Sequence, residues 1–483
     1  MLFCDILRYI IIQLHFLFDC IVDFIFGIYY NRKAKKVPAV KNSLLLESAI
    51  SLAEKIRTKK VTSEEIVRAY TERCKEVNSL INAIVEDRYS DAIEEAKGVD
   101  AMIEKCTDLE KIKITMPFFG VPFTTKESNR AKGLIHSMGL LCRRNYRSED
   151  DATTVRFLKE AGGILIAKTN VPELNLWAET RNNLYGQTNN PYDITRTVGG
   201  SSGGEAAIVA ACGAPFSICS DIGGSTRMPA FFNGLFGHKP SEGLTPVGGI
   251  GLRENDYPDT MVAAGPLCKK AEDLAPLLKV LISPNVHRLK LDEPVNVQKL
   301  KVFYQESSGD LRASKINRTM QATLIKVVQH FRKLTGSATK YVTSAKREIF
   351  NLLTGNSQLT LASIIKLIDE DFLPKENEEW AKCVTAKMKH FLMEKLGDNG
   401  VLFYPSAPFP ASYHYSTYLR PFNFGYWCLF NVLRFPSCQV PLGLDEQGLP
   451  VGIQVIAAPY NDHLCFAVAK ELETTFGGWV PPS

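Results

Sequence analysis

Apolar and polar positions change rhythm several times along this chain. From residue 7 to residue 30 nearly every position is apolar, a run long enough to cross a bilayer, which takes about 20 helical residues. Further on, apolar residues recur every three to four positions, and the spacing predicts helices over Ala49–Arg57, Ser63–Asn78 and Thr153–Ala161. Short apolar and β-branched runs follow the other rhythm: 118–125, Ile164–Lys168 and 216–220 read as buried strands. Strands alternating with helices in this way predict an α/β fold. No low-complexity linker or repeat interrupts the sequence after residue 44, so one large domain is expected although the chain has 483 residues.

The N-terminal run carries its few polar residues on one side. At 3.6 residues per turn, Arg8, His15, Asp19 and Asp23 fall within an arc of roughly 80°, shared by Ile12 and Phe26. Arg32, Lys33, Lys35 and Lys36 follow at once. Two readings stay open. The helix crosses the bilayer, with its basic flank holding the rest of the chain in the cytoplasm, or it lies in the membrane plane. No small-residue cleavage site follows the run, which predicts an uncleaved anchor rather than a removed signal peptide. A buried helix of a soluble protein is the weaker alternative, since nothing upstream covers its other faces.

Glycine is concentrated in the middle of the chain. Twelve of the 33 glycines lie between Gly199 and Gly249, about three times an even share, although glycine is costly to order. The stretch 198–227 reads VGGSSGGEAAIVAACGAPFSICSDIGGSTR. It lacks the G-x-x-x-x-G-K-[ST] spacing, and no G-x-G-x-x-G opens a helix after a strand, which disfavours a phosphate cradle. The strand-like 216–220 leads through Asp221 and two glycines into Ser225, and Pro229 suits the first turn of a helix. Ser225 is therefore placed at a strand-to-helix junction, where the backbone N–H groups of Ile222, Gly223, Gly224 and Ser225 can converge on an oxyanion. Ser201 and Ser202 fall in the loop before a short helix that starts near Glu205.

A serine nucleophile needs a base. None of the eight histidines sits in a suggestive motif. His238 has no evident aspartate beside it and reads as structural. Gly-x-Ser-x-Gly is missing around Ser225, which argues against an α/β-hydrolase elbow. A Ser-Lys arrangement remains. Lys126 ends the 118–125 run, which would carry its amine into low dielectric and favour the neutral form, although a lysine at a strand end is more often a surface residue.

The segments FFGVPFTTKES, GGSSGGE and SDIGGSTRMPA, in this order, resemble the three signature segments of the amidase signature family of serine hydrolases. The similarity continues through AGGILIAKTNVPELNLW, MPAFFNGLFGHKPS and PLGLDEQGLPVGIQV, covers most of residues 44–483, and is strongest with the fatty acid amide hydrolase branch. It implies Ser225 as nucleophile, Ser201 as a bridging relay preceded by a cis peptide, and Lys126 as base. It also implies an oxyanion hole from the amides of Ile222, Gly223, Gly224 and Ser225, supported from behind by Ser202, Asp221 and Arg227. The implied architecture is a central mixed, twisted β-sheet surrounded by helices, with residues 1–36 as membrane anchor and basic flank and 37–483 as the amidase catalytic domain. Two positions depart from the family pattern: Thr226 stands where relatives commonly carry Ile, and Arg434 where they usually carry Gly.

Composition changes this picture little. Twelve cysteines include no C-x-x-C pair, so neither zinc nor redox chemistry is indicated, and no cofactor or metal is expected. A net charge of +5 over this length gives no reason to invoke nucleic acid. The expected partners are a lipid amide substrate and a membrane, with a homodimer left open. LTLASIIKLIDEDFL at 359–373 is a candidate amphipathic cap over an acyl channel, and PFNFGYWCLFNVLRF at 421–435 either lines a lipid tunnel or fills core. The expected function is hydrolysis of fatty acyl amides, and secondarily esters, by a membrane-bound enzyme whose body faces the cytoplasm. An amidotransferase subunit of the same family and a catalytically silent lipid-binding protein are the alternatives.

Overall fold

The computed structural model describes residues 2–256, 260–340 and 378–482; the 359–373 segment lies outside them. Ala49–Arg57 is helical as its periodicity predicts, with Ser48 Oγ accepting the Ser51 amide as its cap. The next helix runs Ser63–Ile81, one turn beyond the predicted end. Its start is fixed by Thr62, which accepts the Glu65 amide. Its end comes only at Asn82, in the left-handed region, while Asn78 Oδ1 accepts the amides of Ala83 and Ile84 that follow. The third predicted helix is Thr153–Glu160.

The strands, in chain order, are β1 (Ile84–Asp87), β2 (Pro122–Lys126), β3 (Ile164–Thr169), β4 (Arg181–Asn182), β5 (Gly186–Gln187), β6 (Phe216–Asp221), β7 (Phe236–Lys239), β8 (Ala263–Cys268), β9 (Lys301–Tyr304), β10 (Thr339–Lys340), β11 (Gly400–Pro405), β12 (Ser437–Leu444) and β13 (Pro450–Ala457). β2 is shorter than the predicted 118–125 strand, because the chain turns at Gly120 and the Val121 amide donates back to the Phe118 carbonyl. Eleven strands form one mixed sheet in the order β1-β3-β2-β6-β8-β7-β12-β13-β11-β9-β10. β2 pairs in parallel with both β3 and β6, and the strands from β6 through β8, β7, β12 and β13 to β11 pair antiparallel. Helices pack around this sheet.

Every residue of β2, β3 and β6 is buried, as expected of parallel strands covered on both faces, and this explains why they read as continuous runs rather than alternating ones. The main apolar core extends from Val37 to Trp479. A second cluster gathers Phe231, Tyr404, Tyr426, Trp427 and Phe430. The aromatic run 421–435 thus fills core through its Gly425–Val432 helix.

Candidate active site

Lys126 closes β2, the third of the eleven strands, flanked by β3 and β6. Its Nζ lies 2.6 Å from Ser201 Oγ and 3.2 Å from Ser220 Oγ. The side chain is completely buried, and burial holds the amine below the ordinary lysine value, partly offset by attraction to Glu205, Cys219 and Asp221. Glu205 shifts in the opposite sense: burial pushes its carboxyl up to about 8, against the pull of Lys126. Both shifts favour the neutral forms, so Ser201 faces an amine able to accept a proton.

Ser201 follows a cis peptide bond from Gly200. A Cβ on Gly200 would stand 2.1 Å from the Trp177 carbonyl oxygen, so only glycine lets the loop pass there. Ser202 then opens the Gly203–Ala210 helix, and its amide donates to the Ser225 carbonyl at 3.2 Å. That bond ties the double-serine loop to the turn that follows β6.

Asp221, at the end of β6, organises that turn. Its carboxylate accepts the amides of Gly224 (2.7 Å), Thr226 (3.2 Å) and Arg227 (3.4 Å), together with Arg227 Nε at 3.1 Å. Arg227 also donates to Gln454 Oε1 at 2.8 Å, the Trp427 carbonyl at 3.0 Å and Asn431 Oδ1, and Asn431 Nδ2 returns to Asp221 at 2.9 Å. Burial alone would raise the Asp221 carboxyl, but the Arg227 guanidinium, Asn431 and the Gly224 amide hold it well below the usual range.

The four-amide oxyanion hole needs one correction. The Gly224 N–H is already taken by Asp221, which leaves Ile222, Gly223 and Ser225, whose amides have no protein acceptor among the described residues. Gly224 adopts φ +116, and a Cβ there would lie 2.5 Å from Trp427 Cβ, so the Gly425–Val432 helix packs directly on this turn.

Sequence reasoning proposed Lys126, Ser201, Ser202, Asp221, Ser225 and Arg227, and the structure gathers them around the ends of β2 and β6. It missed Ser220, Glu205, Asn431 and Gln454. Glu205 left a signal, being the one charged residue in the otherwise apolar helix GGEAAIVA; Asn431 and Gln454 left none, because they arrive through tertiary folding. His238 does have an aspartate partner after all: its Nε2 lies 2.9 Å from Asp462 Oδ1, 224 positions away. Ser241 Oγ donates to the same aspartate at 2.6 Å rather than to the histidine, which makes this buried trio a structural clasp.

Of the two departures from the family pattern, Thr226 is fully buried with no hydrogen-bond partner for its hydroxyl. Arg434 has φ +67 at the end of the Gly425–Val432 helix, a conformation that favours glycine. Its guanidinium reaches Glu242 at 3.6 Å.

A family model described as amidase matches residues 65–372 and 372–466. The chain belongs to the amidase family. Among amidases it is 41% identical to human fatty-acid amide hydrolase 2 over 93% of each chain. It is 40% identical to fatty-acid amide hydrolase 2-A of Danio rerio over 92% of each. A solved structure of fatty acid amide hydrolase superposes with a TM-score of 0.72 at 20% identity, covering 91% of this chain and 86% of that one. The large mixed sheet wrapped by helices is accordingly the amidase signature fold, and the chain is an amide hydrolase by family.

Proposed function

We propose that this amidase is a membrane-associated serine hydrolase that cleaves fatty acyl amides, and more slowly esters, through an acyl-enzyme on Ser225. The observation that carries the reading is the 2.6 Å contact between a wholly buried lysine amine and Ser201, on a loop bonded to the Ser225 turn. Neutral Lys126 takes a proton from Ser201, which takes one from Ser225 as its oxygen attacks the carbonyl. The amides of Ile222, Gly223 and Ser225 hold the resulting oxyanion. Asp221 and Arg227 fix the turn that presents them, and Ser202 ties it to the relay.

Amide cleavage demands protonation of the departing amine, and the same relay returns the proton to it. Water then releases the fatty acid. The fatty acyl specificity is supported by the named relatives, and membrane association by the N-terminal helix, which is long and apolar enough to cross a bilayer. The exposed Arg32, Lys33, Lys35 and Lys36 favour an anionic, cytoplasmic leaflet.

The test is labelling of purified full-length protein with a fluorophosphonate, with Ser225→Ala in parallel and long-chain acyl amides as competitors. Labelling that disappears in the variant and is blocked by the lipids supports the reading. Well-folded protein that takes no label overturns it in favour of a silent lipid-binding protein.

A further inference from the structure

The N-terminal helix, Leu2–Tyr30, docks on the catalytic body through its polar stripe. Asp19 is buried, its Oδ1 accepting Arg420 Nε at 2.8 Å and Ser314 Oγ at 3.1 Å, while its carbonyl accepts the same guanidinium at 2.7 Å. Asp23 Oδ1 lies 2.8 Å from Arg420 as well. Further along, Tyr30 stacks on Tyr413 with ring centroids 5.7 Å apart, and Tyr413 donates its hydroxyl to Asn31. Ile12, His15, Val22, Phe26 and Gly27 complete the covered face. Asp19 and Asp23, which on a helical wheel could have pointed to water, face the body instead.

The opposite face is exposed and apolar. Leu14, Leu17, Ile21, Phe24, Ile25 and Ile28 are each 48–69% exposed, Phe24 being the most open. Leu176, Tyr418 and Leu419 extend this surface onto the body, also about half exposed. The Ser416–Leu419 turn touches the helix, and Tyr418 stacks on Trp177 at 4.6 Å.

Docking and spanning exclude one another. The covered face runs from Ile12 to Tyr30, which at 1.5 Å per residue is about 27 Å, nearly the whole hydrocarbon thickness of about 30 Å. A helix that crossed the bilayer along its axis would carry Arg420, Ser314 and the folded chain around them into hydrocarbon, where ionic and backbone polar groups are costly. We infer that the helix lies in the membrane plane, clamped to the body by Asp19, Asp23 and Arg420, with its outer face and the Leu176–Tyr418–Leu419 rim inserted into one leaflet. The occupant of this surface is lipid: the face is too apolar for water, and the four exposed cations of the flank sit at its C-terminal end, where anionic headgroups would meet them.

This inference rests on the proposed membrane association, and the experiment separates the two. Full-length protein tagged at both termini is floated with vesicles of equal parts phosphatidylcholine and phosphatidylserine, and the tags are probed with protease in sealed microsomes. The expected result is flotation, with both tags digested or both protected. As a second readout, the Asp19→Cys, Ser314→Cys double variant should form an intramolecular disulfide in the membrane-bound, fluorophosphonate-reactive protein. Flotation with the tags on opposite faces, or labelled protein without the cross-link, overturns the in-plane helix and leaves the hydrolase reading intact. Failure to float overturns both the in-plane helix and membrane association.

Discussion

Lys126 and Lys168 stand on adjacent buried strands, one register position apart, and end in opposite surroundings. Both are fully buried, and burial favours the neutral amine in both, taking Lys168 down to about 8. Lys168 spends its hydrogens on two backbone carbonyls, those of Asn129 at 2.8 Å and Ile135 at 2.6 Å. A carbonyl can only accept, so this lysine is fixed as a donor. Lys126 ends on two hydroxyls, of Ser201 and Ser220, and a hydroxyl can either accept or donate. Burial supplies the pKa shift, then, but the partner decides whether the shifted amine can work as a base.

The strongest way to break this contrast is Lys126→Ala. It should lower kcat/KM on amides by roughly 10²- to 10⁴-fold, the range of a lost general base, and much less on esters, whose leaving group needs no proton. Equal losses on both substrates would remove the relay from Lys126. Lys168→Met should do the reverse, costing about 2–4 kcal/mol of stability in denaturant melts by stripping two buried carbonyls of their donor, with the amide-to-ester ratio unchanged. Its pH signature has a definite sign. Between about 8 and 10.5 the unfolded chain binds a proton at Lys168 that the folded chain refuses, so stability falls as pH drops through that window, and the variant should flatten part of that slope.

Smaller changes sharpen the comparison. Ser220→Ala removes the second hydroxyl from Lys126 and should lower amide turnover about two- to tenfold, the worth of one net hydrogen bond; a loss as large as that of Ser201→Ala would make Ser220 a second relay. Glu205→Gln should have the least effect. The glutamine amide imitates the protonated carboxyl that burial favours below about 8, and loss of the carboxylate that pulls Lys126 upward above it moves the acidic limb of the amide pH–rate profile, if at all, to lower pH. A move to higher pH would contradict the coupling.

How much of this was legible depends on the range of each interaction. Ser201, Ser225 and Lys126 stand in short segments whose glycines and apolar runs carry their own punctuation, and the strands around them, apart from the early start given to β2, read correctly because parallel strands buried on both faces leave no alternation to confuse. Gln454 and Asn431 sit in ordinary strand and helix patterns, and only the folded chain brings them to Arg227. The predicted aspartate-free His238 failed for the same reason, Asp462 being remote in sequence. The N-terminal stripe was visible as a periodicity, but nothing in the periodicity said whether water or protein would face it.

The clasp around Arg227 also sets the order in which this hydrolase becomes complete as it is made. Trp427, Asn431 and Gln454 lie 200, 204 and 227 residues downstream of it. At 5–20 residues per second of synthesis, a ribosome completes the two serines and the lysine roughly 11 to 46 seconds before the last of these partners. Throughout that interval Arg227 has its local bond to Asp221 but lacks the three downstream partners that brace the turn bearing Ser225. The nascent chain therefore carries the proposed reacting groups before their turn is fully braced, and the hydrolytic chemistry proposed for it waits on its own final quarter.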